Sequence, residues 1–129
     1  MANSRSSTDF HEYATVDTAP SGTELGYWTN AVCLRDKMKA GLAKDKMWFS
    51  IREQDTDSSQ ASETSSVTVT LQFKCKSDEG WQDYITTDGT TIDVGNRLCI
   101  EDTGAEVQWR AGVKDGAFTS GKVVFGFDW

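Results

Sequence analysis

The sequence has little proline, histidine or cysteine: 129 residues contain one proline, one histidine and three cysteines. Scarce proline together with many threonine, serine, valine and aromatic residues is typical of all-β proteins, whose pleated strands and tight turns use these side chains. No stretch approaches the roughly 18 consecutive apolar residues that a membrane-spanning helix needs. The length suits a single globular domain with one core.

The few cysteines and the lone histidine also argue against catalysis and metal binding. Cys33, Cys75 and Cys99 form an odd, widely spaced set, unlike a disulfide framework or the paired cysteines of a zinc site, so we expect reduced thiols. His11 lies in a polar arm, which would hold a catalytic base poorly beside a nucleophile. A metal centre needs several converging ligands, and no spacing indicates one. The sequence therefore predicts a protein that is not an enzyme and has no metal or cofactor.

Basic residues are fewer than acidic residues: the chain has 13 Lys and Arg against 20 Asp and Glu, which gives a net charge of -7. Nucleic-acid backbones and anionic membrane surfaces both attract lysine and arginine, so this balance argues against either as a partner. The first nine residues lack the apolar segment of a signal peptide. We therefore expect synthesis and initial retention in the cytoplasm.

The first part of the chain differs in composition from the rest. Residues 1–24 are polar, contain few large apolar groups and include Ala19-Pro20-Ser21-Gly22. This composition predicts an extended N-terminal arm at residues 1–24, mobile in isolation and ordered on a partner, followed by a β-sandwich domain at residues 25–129. Within that domain, residues 35–43 contain helix formers but end too early to decide between a helix and a turn.

Alternation with a period of two predicts the strands. Met47, Phe49 and Ile51 alternate with polar residues, and the run from Val67 to Lys76 alternates without a break, with Cys75 on its apolar face. Turn residues separate further predicted strands at 81–86, 90–94, 97–101, 106–114 and 122–129. Many short strands at this spacing predict an all-β fold, an antiparallel β-sandwich of jelly-roll or immunoglobulin-like type.

Side-chain parity within the strands separates core residues from surface residues. The predicted interior consists of Phe73, Val107, Trp109, Phe125 and Phe127, with Trp129 on the same face as the last two. Trp48 instead shares a strand face with Ser50 and Arg52, so we expect it to be exposed or covered by a partner. Five tryptophans are more than such a core needs, and exposed aromatic residues are favoured at interfaces. The candidate partner-contact residues are His11, Tyr13, Trp28, Trp48 and Arg52.

One region resembles small structural proteins of tailed bacteriophages. The most specific part is Trp109-Arg110-Ala111-Gly112-Val113-Lys114 followed by Phe118-Thr119-Ser120-Gly121, and weaker similarity extends to Val67–Phe73, Gly80-Trp81 and Leu34–Lys37. The phage proteins are β-sandwich virion components without catalytic residues. The resemblance therefore implies a non-enzymatic virion protein, assembled in the host cytoplasm. A capsid decoration, or cement, protein fits best; it would bind and stabilise the shell of major capsid protein, or contact other virion proteins, as a homo-oligomer with a trimer favoured.

Other functions remain open at this point. Within the virion, the protein could instead belong to the tail, neck or fibres. A carbohydrate-binding β-sandwich module, with Trp48 or Trp81 as a stacking platform, is an alternative of a different class. A general adaptor or enzyme inhibitor has no positive sequence feature.

Overall fold

The computed structural model describes residues 3–21, 26–53, 66–75, 80–85 and 97–129. Within these ranges the chain forms eleven strands and one short helix. The elements are β1 (Ser4–Ser7), β2 (His11–Val16), β3 (Val32–Cys33), α1 (Leu34–Lys39), β4 (Lys46–Glu53), β5 (Ser66–Val67), β6 (Thr70–Lys74), β7 (Gln82–Ile85), β8 (Arg97–Glu101), β9 (Gln108–Gly112), β10 (Phe118–Ser120) and β11 (Val123–Asp128).

Two antiparallel sheets form the sandwich. The five-stranded sheet has the order β1-β2-β11-β4-β8, and the four-stranded sheet has the order β3-β9-β6-β7. Strands β5 and β10 pair separately as a two-stranded ribbon. The prediction of an all-β antiparallel sandwich is confirmed.

The hydrophobic core lies between the two sheets. Phe49, Phe125 and Phe127 from the five-stranded sheet are fully buried, as are Leu71 and Ala111 from the four-stranded sheet. The rings of Phe49 and Phe127 are 5.4 Å apart between centroids. Complete burial of a large apolar side chain contributes about 1.5–3 kcal/mol, so this small set is a main source of stability.

The predicted interior is confirmed in its centre and corrected at its margin. Phe125 and Phe127 are buried, whereas Phe73, Val107 and Trp109 are half-buried. Phe73 and Trp109 are directly opposite each other on β6 and β9, with ring centroids 5.7 Å apart, and both contact the exposed Tyr84. They form an aromatic cluster at the rim of the core because β7 beside them is exposed along most of its length.

Residues 4–16 belong to the five-stranded sheet, where the sequence predicted an arm outside the core. Strand β1 pairs with β2, and β2 pairs with β11 along six residues. Ala14 and Val16 are buried in the core. The composition of this segment did not predict a strand, because its inward side chains, Ala14, Val16 and Glu12, are small or polar. The third of them, the buried Glu12, accepts a hydrogen bond from the backbone N–H of Asn30 at 2.9 Å.

Strand β6 shows why Cys75 is exposed although the sequence pattern placed it inside. The strand ends at Lys74, so the alternation stops before Cys75. On the side away from the core, Thr70 and Gln72 are nevertheless buried. Neighbouring segments cover this side of β6. The alternation in the sequence therefore did not predict the burial of Thr70 and Gln72.

The remaining local predictions have mixed outcomes. The segment predicted as helix or turn forms α1, and Gly41, with a φ of 76°, follows its C-terminus. The predicted strand at 90–94 lies outside the described residues. In the described ranges, no helix is long and apolar enough to cross a membrane.

The position of β2 leads to a stability test on neighbouring residues. We expect Val16→Ala to lower the free energy of unfolding by about 2–3 kcal/mol, because it removes two buried methyl groups and leaves a cavity. Thr15→Ala, on the opposite face of the strand, should cost less than about 1 kcal/mol. Urea denaturation of both variants measures the difference.

A deletion tests the same point more severely. Removal of residues 1–17 should abolish cooperative unfolding, because β11 would lose one of its two neighbouring strands. An unchanged transition, together with equal costs for the two β2 variants, would show that this segment is a dispensable arm.

Candidate functional site

The outer face of the five-stranded sheet, which is the face turned away from the core, carries the strongest candidate site. In β2 the side chains of His11 and Tyr13 have the parity of this face, because Glu12, Ala14 and Val16 are buried on the other. The strand register places His11 beside Asp128, Asp128 beside Trp48, and Trp48 beside Cys99. Four strands therefore bring these residues into one row across the sheet.

Four of the five candidate contact residues lie on two strands of this sheet. His11 and Tyr13 lie on β2, and Trp48 and Arg52 lie on β4 at positions of the same parity. Arg52 is paired in register with Val124, and Trp48 with Asp128. Trp28 lies apart, on the four-stranded sheet, where it forms an isolated bridge with Gly112.

Ring stacking and hydrogen bonds hold His11 and Tyr13 in this face. Their rings stack with centroids 4.4 Å apart and planes 14° apart. The ring nitrogens Nε2 and Nδ1 of His11 lie 3.2 Å from the hydroxyl oxygens of Ser6 and Thr8 respectively. The hydroxyl of Tyr13 donates a hydrogen bond to Oδ1 of Asp128. These contacts fix the carboxylate of Asp128 beside Trp48.

Gly126 is required beneath the ring of Tyr13. A Cβ atom at this position would lie 2.6 Å from Cδ1 of Tyr13 and would overlap the carbonyl oxygen of Glu12. No side chain larger than hydrogen fits there without a shift of β2. The glycine thus allows Tyr13 to lie across the sheet and reach Asp128.

Beside Asp128 and Trp48 in this row lies an open cavity of about 360 Å³, which we call the Trp48 cleft. Its volume falls within the range of small-ligand sites, roughly 300–1,000 Å³. Trp48 is 45% exposed and forms the accessible aromatic wall. The lining residues are Lys44, Asp45, Lys46, Trp48, Asp128 and Trp129.

Trp129 forms a fixed wall of the cleft. Its indole N–H donates to the carbonyl oxygen of Asp9, and its backbone N–H donates to the carbonyl of Phe10 at 3.1 Å. The ammonium of Lys37 lies 4.7 Å from the centroid of its ring. The neighbouring Phe10 is 59% exposed, so the end of the sheet presents an accessible aromatic surface.

The outer side of the four-stranded sheet uses its tryptophans differently. The guanidinium carbon of Arg110 lies 4.3 Å from the ring centroid of Trp28 and 4.5 Å from that of Trp81. Lys74 also lies over Trp81, at 4.8 Å. A Cβ atom on Gly112 would overlap the indole of Trp28, so this glycine admits the ring against the sheet. The stack of Trp28, Arg110 and Trp81 supplies the cover over β6.

A polar network continues from this stack. Nε of Arg110 donates to Gln72 at 2.9 Å, and Gln72 in turn donates to Oδ1 of Asp83 at 2.9 Å. Lys114 donates to the other carboxylate oxygen of Asp83 at 2.7 Å. The hydrogen bond from Lys114, aided by that from Gln72, lowers the pKa of Asp83. Burial lowers the pKa of Arg110.

The described part of the chain does not contain a metal-binding cluster. Its ranges contain no group of three or more His, Cys, Asp or Glu side chains placed to hold a metal ion. A second cavity, of about 20 Å³ between α1 and the segment after β8, has room for little more than a water molecule. The chemistry that the outer face offers is recognition through aromatic rings and fixed charges.

The role of Asp128, and part of that of Trp129, did not follow from the sequence pattern. Asp128 has the opposite parity to Phe125 and Phe127, which could have marked it as outward-facing. Its position beside Trp48 follows from the pairing of β11 with β4, which the sequence does not specify. Trp129, predicted in the core, is half-buried, so it both packs against the core and lines the cleft.

Comparisons with known proteins found no protein family, curated protein or solved structure that matches the chain.

The network around Asp83 predicts a pH dependence of stability. Because the folded pKa of Asp83 is lowered, its ionised form stabilises the fold above the unfolded pKa, about 3.9, and that contribution is lost as the pH falls through the folded pKa. We expect the free energy of unfolding to fall between about pH 5 and pH 2, and less steeply in Asp83→Asn. Urea titrations across this range provide the measurement.

Asp115→Asn, a change of the same charge at an exposed turn, is the matched control and should keep the wild-type slope. If Asp83→Asn and the wild type have the same pH slope, the network around Asp83 does not contribute as described.

Proposed function

We propose that the protein is a non-enzymatic structural component of a bacteriophage virion, namely a capsid decoration protein that binds the major capsid protein through the outer face of the five-stranded sheet. The observation that carries this proposal is the row of His11, Asp128, Trp48 and Cys99, whose two middle members line an exposed aromatic cleft. The resemblance to phage structural proteins supplies the biological setting.

The physical character of the outer face supports a role in binding another protein. Trp48 and Phe10 are large apolar side chains that remain accessible at the same end of the sheet. Tryptophan and tyrosine are enriched among the residues that dominate interface energies. His11, Tyr13 and Trp129 are already held by internal contacts, so little side-chain freedom would be lost on binding.

The residues that carry the phage resemblance form the framework that supports this face. The Trp109–Lys114 run includes most of β9, and the Phe118–Gly121 run includes β10. Ala111 and Val113 from the first run are buried in the core against the five-stranded sheet. The resemblance thus concerns the scaffold, while the proposed contact surface lies on the other sheet.

A homo-oligomer, most simply a trimer, agrees with this role. A capsid presents many identical copies of its shell protein in symmetric groups. An oligomer that engages several copies at once gains avidity from effective concentration, so each contact surface can remain small. We therefore extend the proposal to a trimer that binds the shell through repeated outer-face contacts.

Substitution of Trp48 tests the proposed attachment. We expect Trp48→Ala to reduce retention on purified particles at least tenfold, which corresponds to about 1.4 kcal/mol, with little change in the unfolding transition. Tyr84→Ala is the matched control, because Tyr84 is 53% exposed but lies on the other sheet. Co-sedimentation of the tagged variants with particles provides the measurement.

The copy number in the particle decides the location. Hundreds of copies would agree with decoration of the shell, whereas about a dozen or fewer would place the protein in the tail, neck or fibres. If the wild-type protein does not co-sediment, the virion role is wrong. If both variants are retained like the wild type, the outer face is not the attachment surface.

A further inference from the structure

We propose that the Trp48 cleft is a guanidinium-binding site, filled by an arginine side chain of the protein's partner. The inference rests on the proposed function, because it names the group that the outer face recognises on the shell. It follows from the juxtaposition of an accessible indole and an oriented carboxylate.

The chain itself shows how its tryptophans bind cations. Arg110 is sandwiched between Trp28 and Trp81 at 4.3 and 4.5 Å, and its Nε donates to the side-chain oxygen of Gln72. Lys37 lies 4.7 Å from the ring centroid of Trp129. Three of the five indole rings therefore already hold a cation. Trp48 is the most exposed of the tryptophans. The cation–ring contacts found within the described ranges involve Trp28, Trp81 and Trp129.

The neighbour of Trp48 supplies the anion that such a cation needs. Asp128 and Trp48 are directly opposite on adjacent antiparallel strands, where Cβ atoms are about 4.5–5.5 Å apart. The hydrogen bond from Tyr13 fixes the orientation of the Asp128 carboxylate. A planar group stacked on the indole of Trp48 therefore lies within reach of a pre-oriented carboxylate.

Arginine matches this pair of groups better than lysine does. Its guanidinium is planar, stacks on aromatic faces and presents several N–H donors at once, whereas the ammonium of lysine is compact and strongly hydrated. A carboxylate accepts such donors in charge-assisted hydrogen bonds. The net charge of -7 favours approach of a basic group to the protein.

Each of the two lysines that line the cleft has an acidic residue beside it in the sequence or in the sheet. Lys46 is paired in register with Glu101 on β8, so a carboxylate lies beside it on the side away from Asp128. Asp45 lies between Lys44 and Lys46 in the sequence and lines the same cleft. The cleft thus combines two acidic and two basic side chains around its aromatic walls.

A titration with the full-length protein tests the site directly. The probe is N-acetyl-arginine amide, and the signal is the NMR resonance of the Trp48 indole N–H, assigned by its loss in Trp48→Phe. We expect the chemical shift of this resonance to change and to reach saturation, with a Kd on the order of millimolar, because the probe offers only a single side chain. N-acetyl-lysine amide should bind at least threefold more weakly.

The Asp128→Asn variant isolates the role of charge. Asparagine can still accept the hydrogen bond from Tyr13, so the fold is retained while the negative charge is lost. We expect the affinity for the arginine probe to fall at least fivefold, whereas Asp115→Asn at an exposed turn should leave it unchanged. Unfolding midpoints confirm that both variants are folded.

Three results would overturn the inference: an unmoved Trp48 resonance, equal affinity for the arginine and lysine probes, or equal effects of the two Asp variants. A shift produced by maltose or chitobiose but not by the arginine probe would overturn it in favour of a sugar-binding site. The virion role is judged separately by particle retention. If Trp48→Ala detaches from particles while the arginine probe does not bind, the virion role stands and the guanidinium site is wrong.

Discussion

Strand β11 pairs with β2 on one edge and with β4 on the other, and both faces of the sheet depend on this position. Its inward residues, Val123, Phe125 and Phe127, are fully buried. On the opposite side, Gly126 admits the ring of Tyr13, and Asp128 receives its hydroxyl. One strand therefore fixes the centre of the core and the carboxylate of the outer face. Since β2 and β11 are more than 100 residues apart in sequence, this arrangement depends on long-range pairing.

The two sheets use similar chemistry for different purposes. On the four-stranded sheet, Arg110 fills the space between Trp28 and Trp81, and the stack covers an otherwise open side of β6. On the five-stranded sheet, Trp48 has an adjacent carboxylate and an open cavity beside it. The first arrangement is complete within the chain and stabilises the fold. The second leaves the aromatic face of Trp48 accessible, and the proposed function rests on that accessibility.

Sequence parity predicted the fold class, the buried pair Phe125 and Phe127, and the exposure of Trp48. It did not reveal β2, whose buried face relies on small residues and on a carboxylate bonded to a distant backbone N–H. It also could not bring Asp128 beside Trp48, because register between strands arises from tertiary packing. Individual exposed residues were thus predictable, but the site that they form together was not.

Cryo-microscopy of intact particles at side-chain resolution would reveal both the location of the protein and the face that it turns to its partner. We expect many symmetric copies on the shell, with the outer face of the five-stranded sheet against the major capsid protein. Trp48 should be buried in that contact. Copies whose Trp48 cleft faces solvent while the four-stranded sheet rests on the shell would contradict the proposed mode of binding, and particles without the protein would contradict its proposed role.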